Sequence, residues 1–154
     1  MKIILDSDVL IKLTKTGLKE IIVGLLDVSI PKRVYEETVL ESKGYSDAIK
    51  IEENIKRGNI NVKGLSGTGK GEIEALGLYG SGGYELIASD DRRFLNCLER
   101  DQVPYLTSSS LFIYLLHKNK ISKEDTIKYI DLLKLHISKG QYQTAMSEGL
   151  SWGT

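Results

Sequence analysis

Acidic side chains follow directly on two short apolar runs of this chain. Asp6-Ser7-Asp8 comes after residues 3–5, and Ser89-Asp90-Asp91 comes after residues 86–88. Carboxylates that converge in a fold repel one another and lose hydration, so a cluster of them is stable only when a cation neutralises the charge. Oxygen ligands select magnesium or manganese, whereas zinc prefers His and Cys, of which the chain has two and one. The acidic segments therefore indicate a site for a hard divalent ion.

Two more acidic segments are candidates for the same site, Glu36-Glu37 and Glu72. Glu72 follows a glycine-rich stretch, residues 64–71, whose G-x-x-x-x-G-K spacing is that of a phosphate-binding loop. Gly71 stands where such a loop carries the Ser or Thr hydroxyl that holds magnesium, so the P-loop hypothesis ranks last. Any one of these acids, taken alone, is better explained as a helix cap or a solvated surface group. Only if the four acidic segments lie close together in the fold would they indicate a shared site rather than separate helix caps and surface groups.

The elements that would position these acids alternate along the chain. Short apolar runs predict buried strands, and the stretches between them have helical patterns. Strands that alternate with helices imply right-handed crossovers and a mostly parallel sheet covered on both faces, with ligands at the carboxyl ends of the strands. The predicted strands are residues 3–5, 28–30, 60–62, 86–88 and 103–106, and the predicted helices are 9–13, 18–26, 33–40, 47–56, 72–78, 92–99, 111–116 and 123–135.

Length and composition favour a single domain over residues 1–154, in which 108–154 form C-terminal helices and a frayed tail over residues 146–154. Lys plus Arg equals Asp plus Glu at 21 each, so a nucleic-acid site would have to be a local patch. The single Cys97 excludes an intrachain disulfide, and the first residues reach Asp6 too soon for a signal peptide or a membrane span. We expect a cytoplasmic protein without a membrane partner.

Four segments, in order, resemble motifs of the PIN-domain ribonucleases, the fold of VapC-like toxins. Residues 3–11 are similar to the first motif, in which a strand delivers an Asp and a short polar residue before an apolar helix. Val34-Tyr35-Glu36-Glu37 after Pro31 resembles the segment that supplies the second acid, and Gly69-Lys70-Gly71-Glu72 resembles the G-x-G-E stretch of one branch. Residues 86–94 are similar to the last motif, in which an Asp stands three residues before an aromatic side chain. The resemblance implies a three-layer α/β/α fold with a central, mostly parallel sheet of about five strands.

The same resemblance implies which residues form the site. The spacing of residues in the family motifs favours Glu37 over Glu36 and Asp91 over Asp90. Glu72 departs from the commoner family pattern, which has Asp as the third acid. The implied catalytic and metal-binding residues are Asp6, Glu37, Glu72 and Asp91, with Asp90, Glu36 and Asp8 as competitors; Ser7 and Ser89 would orient carboxylates or cap helices, and Lys12, Lys15, Arg92 and Arg93 would contact RNA.

A PIN-type site implies a metal-dependent endoribonuclease. One or two Mg²⁺ or Mn²⁺ ions on these acids would polarise a scissile phosphate and lower the pKa of a bound water. The small size and the resemblance to VapC-like toxins suggest the toxin of a toxin–antitoxin pair, with an antitoxin protein as partner. The apolar late helices and the pairing common among small PIN-like nucleases predict a homodimer.

Two other functions stay open. Asp6-Ser7-Asp8-Val9 is also similar to the haloacid-dehalogenase-like phosphatases, in which the first Asp is a nucleophile and the second a general acid. Leu10 stands where that pattern has Thr or Val, and no lysine motif is evident. A non-catalytic PIN-like module that binds RNA or a protein would need an incomplete acid set, whereas every acidic position is filled here. Glu72 separates the two enzymes, because a PIN site needs it and a phosphatase does not.

Overall fold

The computed structural model describes residues 1–64 and 69–153. In this part the strands are β1 (Lys2–Leu5), β2 (Asp27–Pro31), β3 (Ile60–Lys63), β4 (Leu86–Ala88) and β5 (Tyr105–Leu106). The helices are α1 (Ser7–Lys15), α2 (Lys19–Leu25), α3 (Lys32–Tyr35), α4 (Ser46–Lys56), α5 (Gly71–Gly80), α6 (Arg92–Arg100), α7 (Ser108–His117), α8 (Lys123–Leu133) and α9 (Lys139–Ser151). A π-helical segment, Glu36–Leu40, continues α3. The predicted alternation of strands and helices is confirmed.

The strands form one five-stranded sheet in the order β3-β2-β1-β4-β5. β1 pairs in parallel with β2 and with β4, and β2 pairs in parallel with β3. The chain therefore builds the sheet outward on one side of β1 and then crosses to the other side at β4. The carboxyl ends of β1 and β4 lie at this reversal of strand order, where open parallel sheets bind ligands. The predicted α/β fold, with a parallel sheet of about five strands between helices, is confirmed.

The central strand is apolar because both faces of the sheet are covered. Ile3, Ile4 and Leu5 are fully buried although successive side chains of a strand point to opposite faces. On one face, Ile4 and Ile87 pack with apolar side chains of α5 and α6. Since the predicted site acids Glu72 and Asp91 lie at the starts of these two helices, this core fixes their position relative to the sheet.

The chain divides into two compact units, residues 1–105 and 106–154. The first unit contains β1 to β4 and all the predicted site acids. The second contains α7, α8 and α9, which pack on one another, and the rings of Phe112 and Tyr129 lie 5.6 Å apart in it. The single domain over residues 1–154 stays a prediction. Within the described ranges, no helix is both long and apolar enough to cross a membrane.

The C-terminal segment differs from the sequence-based expectation. Residues 146–151, for which we expected a frayed tail, are helical and belong to α9. The N–H of Gln141 donates to the Ser138 hydroxyl at 3.1 Å, and the N–H of Ser138 donates to the Gln141 side chain at 3.3 Å. This capping box satisfies two free backbone donors at the start of α9. Gly140 and Gly149 weaken the helical propensity of the segment, which is why its composition does not indicate a helix.

We expect Ile87→Ala to lower the free energy of unfolding by about 2–5 kcal/mol, because the substitution leaves a cavity in the core that supports α5 and α6. Ile73→Ala is the control: Ile73 lies on α5 with 62 % of its surface exposed, and its truncation should cost less than about 0.5 kcal/mol. Urea unfolding followed by circular dichroism measures both variants. Equal decreases in the free energy of unfolding for Ile87→Ala and Ile73→Ala would contradict the assignment of Ile87 to this core.

Candidate active site

A cavity of about 280 Å³ opens where β1 and β4 end. The acids predicted from the four sequence motifs, one from each, lie around it, together with Asp8 from the first motif. The residues that line it are Asp6, Ser7, Asp8, Glu37, Lys70, Gly71, Glu72 and Asp91. They lie at the starts of α1, α5 and α6 and in the π-helical segment. The cavity is therefore lined by residues from four separate elements.

Asp6 is the buried acid of the cavity, with 7 % of its surface exposed. Its N–H donates to the carbonyl of Ala88 at 3.0 Å, which continues the β1–β4 pairing by one residue. One carboxylate oxygen accepts the N–H of Ser7 at 2.9 Å, and the other accepts the hydroxyl of Ser89 at 2.8 Å. Asp6 is thus a helix cap and also a fixed carboxylate at the cavity, because each carboxylate oxygen keeps a further lone pair.

Two serines connect the carboxylates. Ser89 donates its hydroxyl to Asp6 and accepts the N–H of Asp91 at 3.1 Å. Ser7 donates its hydroxyl to Glu37 Oε2 at 2.6 Å. These contacts link the end of β1 to the end of β4 and to the segment after β2. The structure therefore places Ser7 and Ser89 against the acids that we expected them to orient.

The structure separates the adjacent acids Glu36 and Glu37. Glu37 lines the cavity and Glu36 does not. Arg33 Nε lies 3.2 Å from Glu37 Oε1, and Arg33 Nη1 lies 3.7 Å from Glu36 Oε2. Both glutamates belong to the π-helical segment, a geometry that is frequent at functional sites and that shifts the direction of the side chains that follow it.

Asp90 and Asp91 are separated in the same way. Asp91 lines the cavity, and its Oδ1 accepts the N–H of Phe94 at 3.0 Å, which caps α6. Asp90 forms an ion pair with Lys12 at 2.8 Å, and its side chain is 3 % exposed. Asp91, the residue that the family register favours, is therefore the one that lies beside Asp6 in the cavity.

Burial and mutual repulsion act on the acids of the cavity. Burial raises the pKa of Asp6, and the negative charges of Glu72 and Glu37 add to the rise. Burial also raises the pKa of Glu72, and the charge of Asp91 adds to that rise while Lys70 opposes it. Groups with raised pKa values of this origin favour binding of a proton or a metal cation.

The chemistry of the donor set fits a hard divalent cation. Its members are carboxylates, which magnesium and manganese prefer, and their repulsion is what such an ion would relieve. In residues 1–64 and 69–153, no three His, Cys, Asp or Glu side chains lie close enough together to hold an ion in common. The carboxylates thus line the cavity without forming a ready-made coordination shell.

Lys70 is a cavity-lining cation that the sequence-based selection of site residues missed. It precedes α5 as the N-cap residue, two positions before Glu72. The G-K-G-E spacing of residues 69–72, which puts a lysine two positions before the third acid, is the sequence signal for it. Residues 65–68, the middle of that glycine-rich stretch, lie outside the described part of the chain.

The four cations predicted to contact RNA fall into two groups. Lys12 is paired with Asp90, and Lys15 is paired with Asp47 at 3.2 Å. Arg92 and Arg93 are exposed in the first turn of α6, directly after Asp91. The two arginines therefore adjoin an acid of the cavity, whereas each of the two lysines is paired with an acid outside it.

Comparison with known proteins adds one match. A family model described as a PIN domain matches residues 2–149, which include every site residue named above. The five-stranded parallel sheet between helices agrees with that match. No curated protein matches the chain.

We expect Asp8→Asn to gain stability relative to the wild type as the pH rises from about 4 to about 6 in the metal-free protein. Burial, followed by repulsion from Asp6 and Asp90, raises the pKa of Asp8 to about 6. The folded state therefore keeps a proton that the unfolded state has already released, and the stability linked to that proton is lost as the pH passes the folded-state pKa. Asn carries no charge at any of these pH values.

Urea unfolding in EDTA across this pH range measures the difference between the Asp8→Asn variant and the wild type. Glu124→Gln, which removes an exposed carboxylate from the first turn of α8, is the control for the loss of one negative charge. A difference in unfolding free energy between Asp8→Asn and the wild type that stays constant with pH would contradict the expected protonation of Asp8.

Proposed function

Because the chain belongs to the PIN-domain family, whose members are in general nucleases, we propose that it is a metal-dependent endoribonuclease. Family membership supports an enzyme that hydrolyses nucleic acid; RNA as the substrate and a divalent ion as the cofactor are parts of the proposal. The observation that carries it is the cavity at the ends of β1 and β4, around which Asp6, Glu37, Glu72 and Asp91 lie. The presence of Glu72 at this cavity also favours a nuclease over a phosphatase, because the phosphatase mechanism does not require Glu72.

The four acids would hold Mg²⁺ or Mn²⁺, which supplies Lewis acidity to the scissile phosphate and lowers the pKa of water. The protein's own contribution is orientation. Asp6 is held at both oxygens by Ser7 and Ser89, and Glu37 is held through the Ser7 hydroxyl. Hydrogen bonds of this kind fix the direction of a ligand and so determine which geometry an ion finds.

Positive charge at the rim would bind the RNA backbone. Lys70 lines the cavity itself, and Arg92 and Arg93 begin α6 beside it. Carboxylates alone repel a phosphate, so cations next to them are needed to hold the flanking backbone while the scissile group occupies the centre. We assign this role to Lys70 first, because it shares the cavity with the acids.

The finer parts of the proposal rest on the resemblance to VapC-like toxins and on the small size of the chain. They are a toxin role in a toxin–antitoxin pair, an antitoxin protein as partner, a homodimer and a cytoplasmic location. The non-catalytic alternative, a PIN-like module that only binds RNA or a protein, is less well supported because all four acidic positions are filled and all four line the cavity.

We expect Asp6→Asn and Glu72→Gln each to lower Mn²⁺-dependent cleavage of single-stranded RNA by about 100-fold or more, because each removes a charged metal ligand. Loss of a residue that only hydrogen-bonds to a metal ligand already lowers activity by about 10- to 100-fold. Folding should be preserved, since each substitution removes a carboxylate whose pKa is raised by burial. Cleavage of a labelled RNA and thermal melting by circular dichroism measure the two effects.

Glu53→Gln, which removes an exposed carboxylate from α4, is the matched control and should cleave RNA like the wild type. Full activity of either site variant would contradict the assignment of that residue. Hydrolysis of phosphate monoesters that survives Glu72→Gln but not Asp6→Asn would instead identify a phosphatase with Asp6 as its nucleophile.

Lys70→Gln should weaken the productive binding of RNA and lower the salt dependence of kcat/KM. Loss of one phosphate contact to single-stranded nucleic acid reduces the slope of log affinity against log salt by about 0.7. The measurement is kcat/KM over a series of KCl concentrations. Lys56→Gln removes an exposed cation from α4 and should leave the slope unchanged; an equal change in both variants would mean that Lys70 acts only through net charge.

A further inference from the structure

Arg33 contacts three glutamates around the π-helical segment. Its Nε lies 3.2 Å from Glu37 Oε1, and its Nη1 lies 2.9 Å from Glu41 Oε2 and 3.7 Å from Glu36 Oε2. The backbone N–H of Arg33 donates to Glu74 Oε1 at 3.1 Å, which ties the start of α3 to α5. Arg33 is therefore held at its backbone by Glu74 and at its guanidinium by the other glutamates, and the guanidinium neutralises part of the charge of Glu36, Glu37 and Glu41.

The two oxygens of Glu37 have different partners. Oε2 accepts the Ser7 hydroxyl, and Oε1 faces the guanidinium of Arg33. A Cβ atom built on Gly71 would lie 3.8 Å from Glu37 Oε1 and 3.9 Å from Arg33 Cγ, so the ion pair adjoins the wall of the cavity just before Glu72. Oε1 is thus an oxygen at the cavity that already has a cationic partner.

We propose that Arg33 is a positioning residue that competes with the divalent ion for Glu37. This inference rests on the proposed function, because it requires Glu37 to be a metal ligand. Two cations at one carboxylate repel each other, so each weakens the binding of the other. Arg33 therefore keeps Glu37 oriented and reduces carboxylate repulsion in the metal-free protein, and it lowers the affinity of the site for the ion.

Mn²⁺ binding by isothermal titration calorimetry tests the competition without any measurement of cleavage. Arg33 and Glu37 are 31 % and 34 % exposed in their side chains, so water screens their attraction. We expect Arg33→Gln to bind Mn²⁺ with a Kd about two- to five-fold lower than the wild type, which corresponds to a partly screened ion pair. Arg33→Lys keeps the positive charge, so its Kd for Mn²⁺ should stay close to that of the wild type.

Arg57→Gln is the matched control. Arg57, the C-cap residue of α4, forms an i,i+4 ion pair with Glu53 at 4.0 Å, so this variant removes the same charge from an exposed pair outside the cavity. Its Kd for Mn²⁺ should equal that of the wild type. In a Glu37→Gln background, Arg33→Gln should no longer change the Kd, because the carboxylate for which the cations compete is absent.

Two results would overturn the inference. One is a Kd for Mn²⁺ that is no lower in Arg33→Gln than in the wild type, and the other is an equal decrease of the Kd when Arg33→Gln is made in the Glu37→Gln background. If the wild type itself binds no Mn²⁺, the proposed metal dependence fails and this inference fails with it. If the wild type binds Mn²⁺ and cleaves RNA while Arg33→Gln binds no more tightly, this inference alone fails. Melting in EDTA verifies folding, and Arg33→Met, which keeps the stem of the side chain, carries the same prediction should Arg33→Gln not fold.

Discussion

Repulsion between carboxylates at the reversal of strand order is the interaction on which the arrangement of the site depends. The order β3-β2-β1-β4-β5 places the ends of β1 and β4 side by side, and each end carries an aspartate. Asp6 is buried there, and burial and the charges of Glu72 and Glu37 raise its pKa. Hydrogen bonds from Ser7 and Ser89 offset part of this cost. The fold thus maintains a set of like charges whose energy a bound cation would lower.

The parts of the fold that could be predicted from the sequence are those with local determinants. β1 and β4 are short apolar runs that end in acids, and parallel pairing then requires their carboxyl ends to meet. The choice of Asp91 over Asp90 also has a local cause. The N–H of Phe94, three residues on, donates to Asp91, so the spacing of Asp and aromatic residue that resembles the last PIN motif is the spacing of a helix N-cap.

Contacts between distant segments could not be predicted in this way. The resemblance implies that Lys12 contacts RNA, but Lys12 pairs with Asp90, which is 78 residues away along the chain. The Arg33–Glu37 pair has a local i,i+4 spacing, but the bond from the Ser7 hydroxyl to Glu37 joins residues 30 positions apart. Lys70 lines the cavity because α5 begins at Gly71, and the sequence allowed that start to be placed only to within a residue or two.

The distribution of cations explains how a chain with no net charge can carry a cavity lined mainly by carboxylates. Lys12 neutralises Asp90, and Arg33 neutralises part of the charge of Glu36 and Glu41, none of which lines the cavity. Asp6, Glu72 and Asp91 form no ion pair within 4 Å in the described part of the chain, and part of the charge of Glu72 is offset by Lys70 and Arg93. Glu37 is intermediate, since it lines the cavity and also shares Arg33. The local field at the cavity is therefore set by which acids the cations reach, and the overall balance of 21 against 21 has no bearing on it.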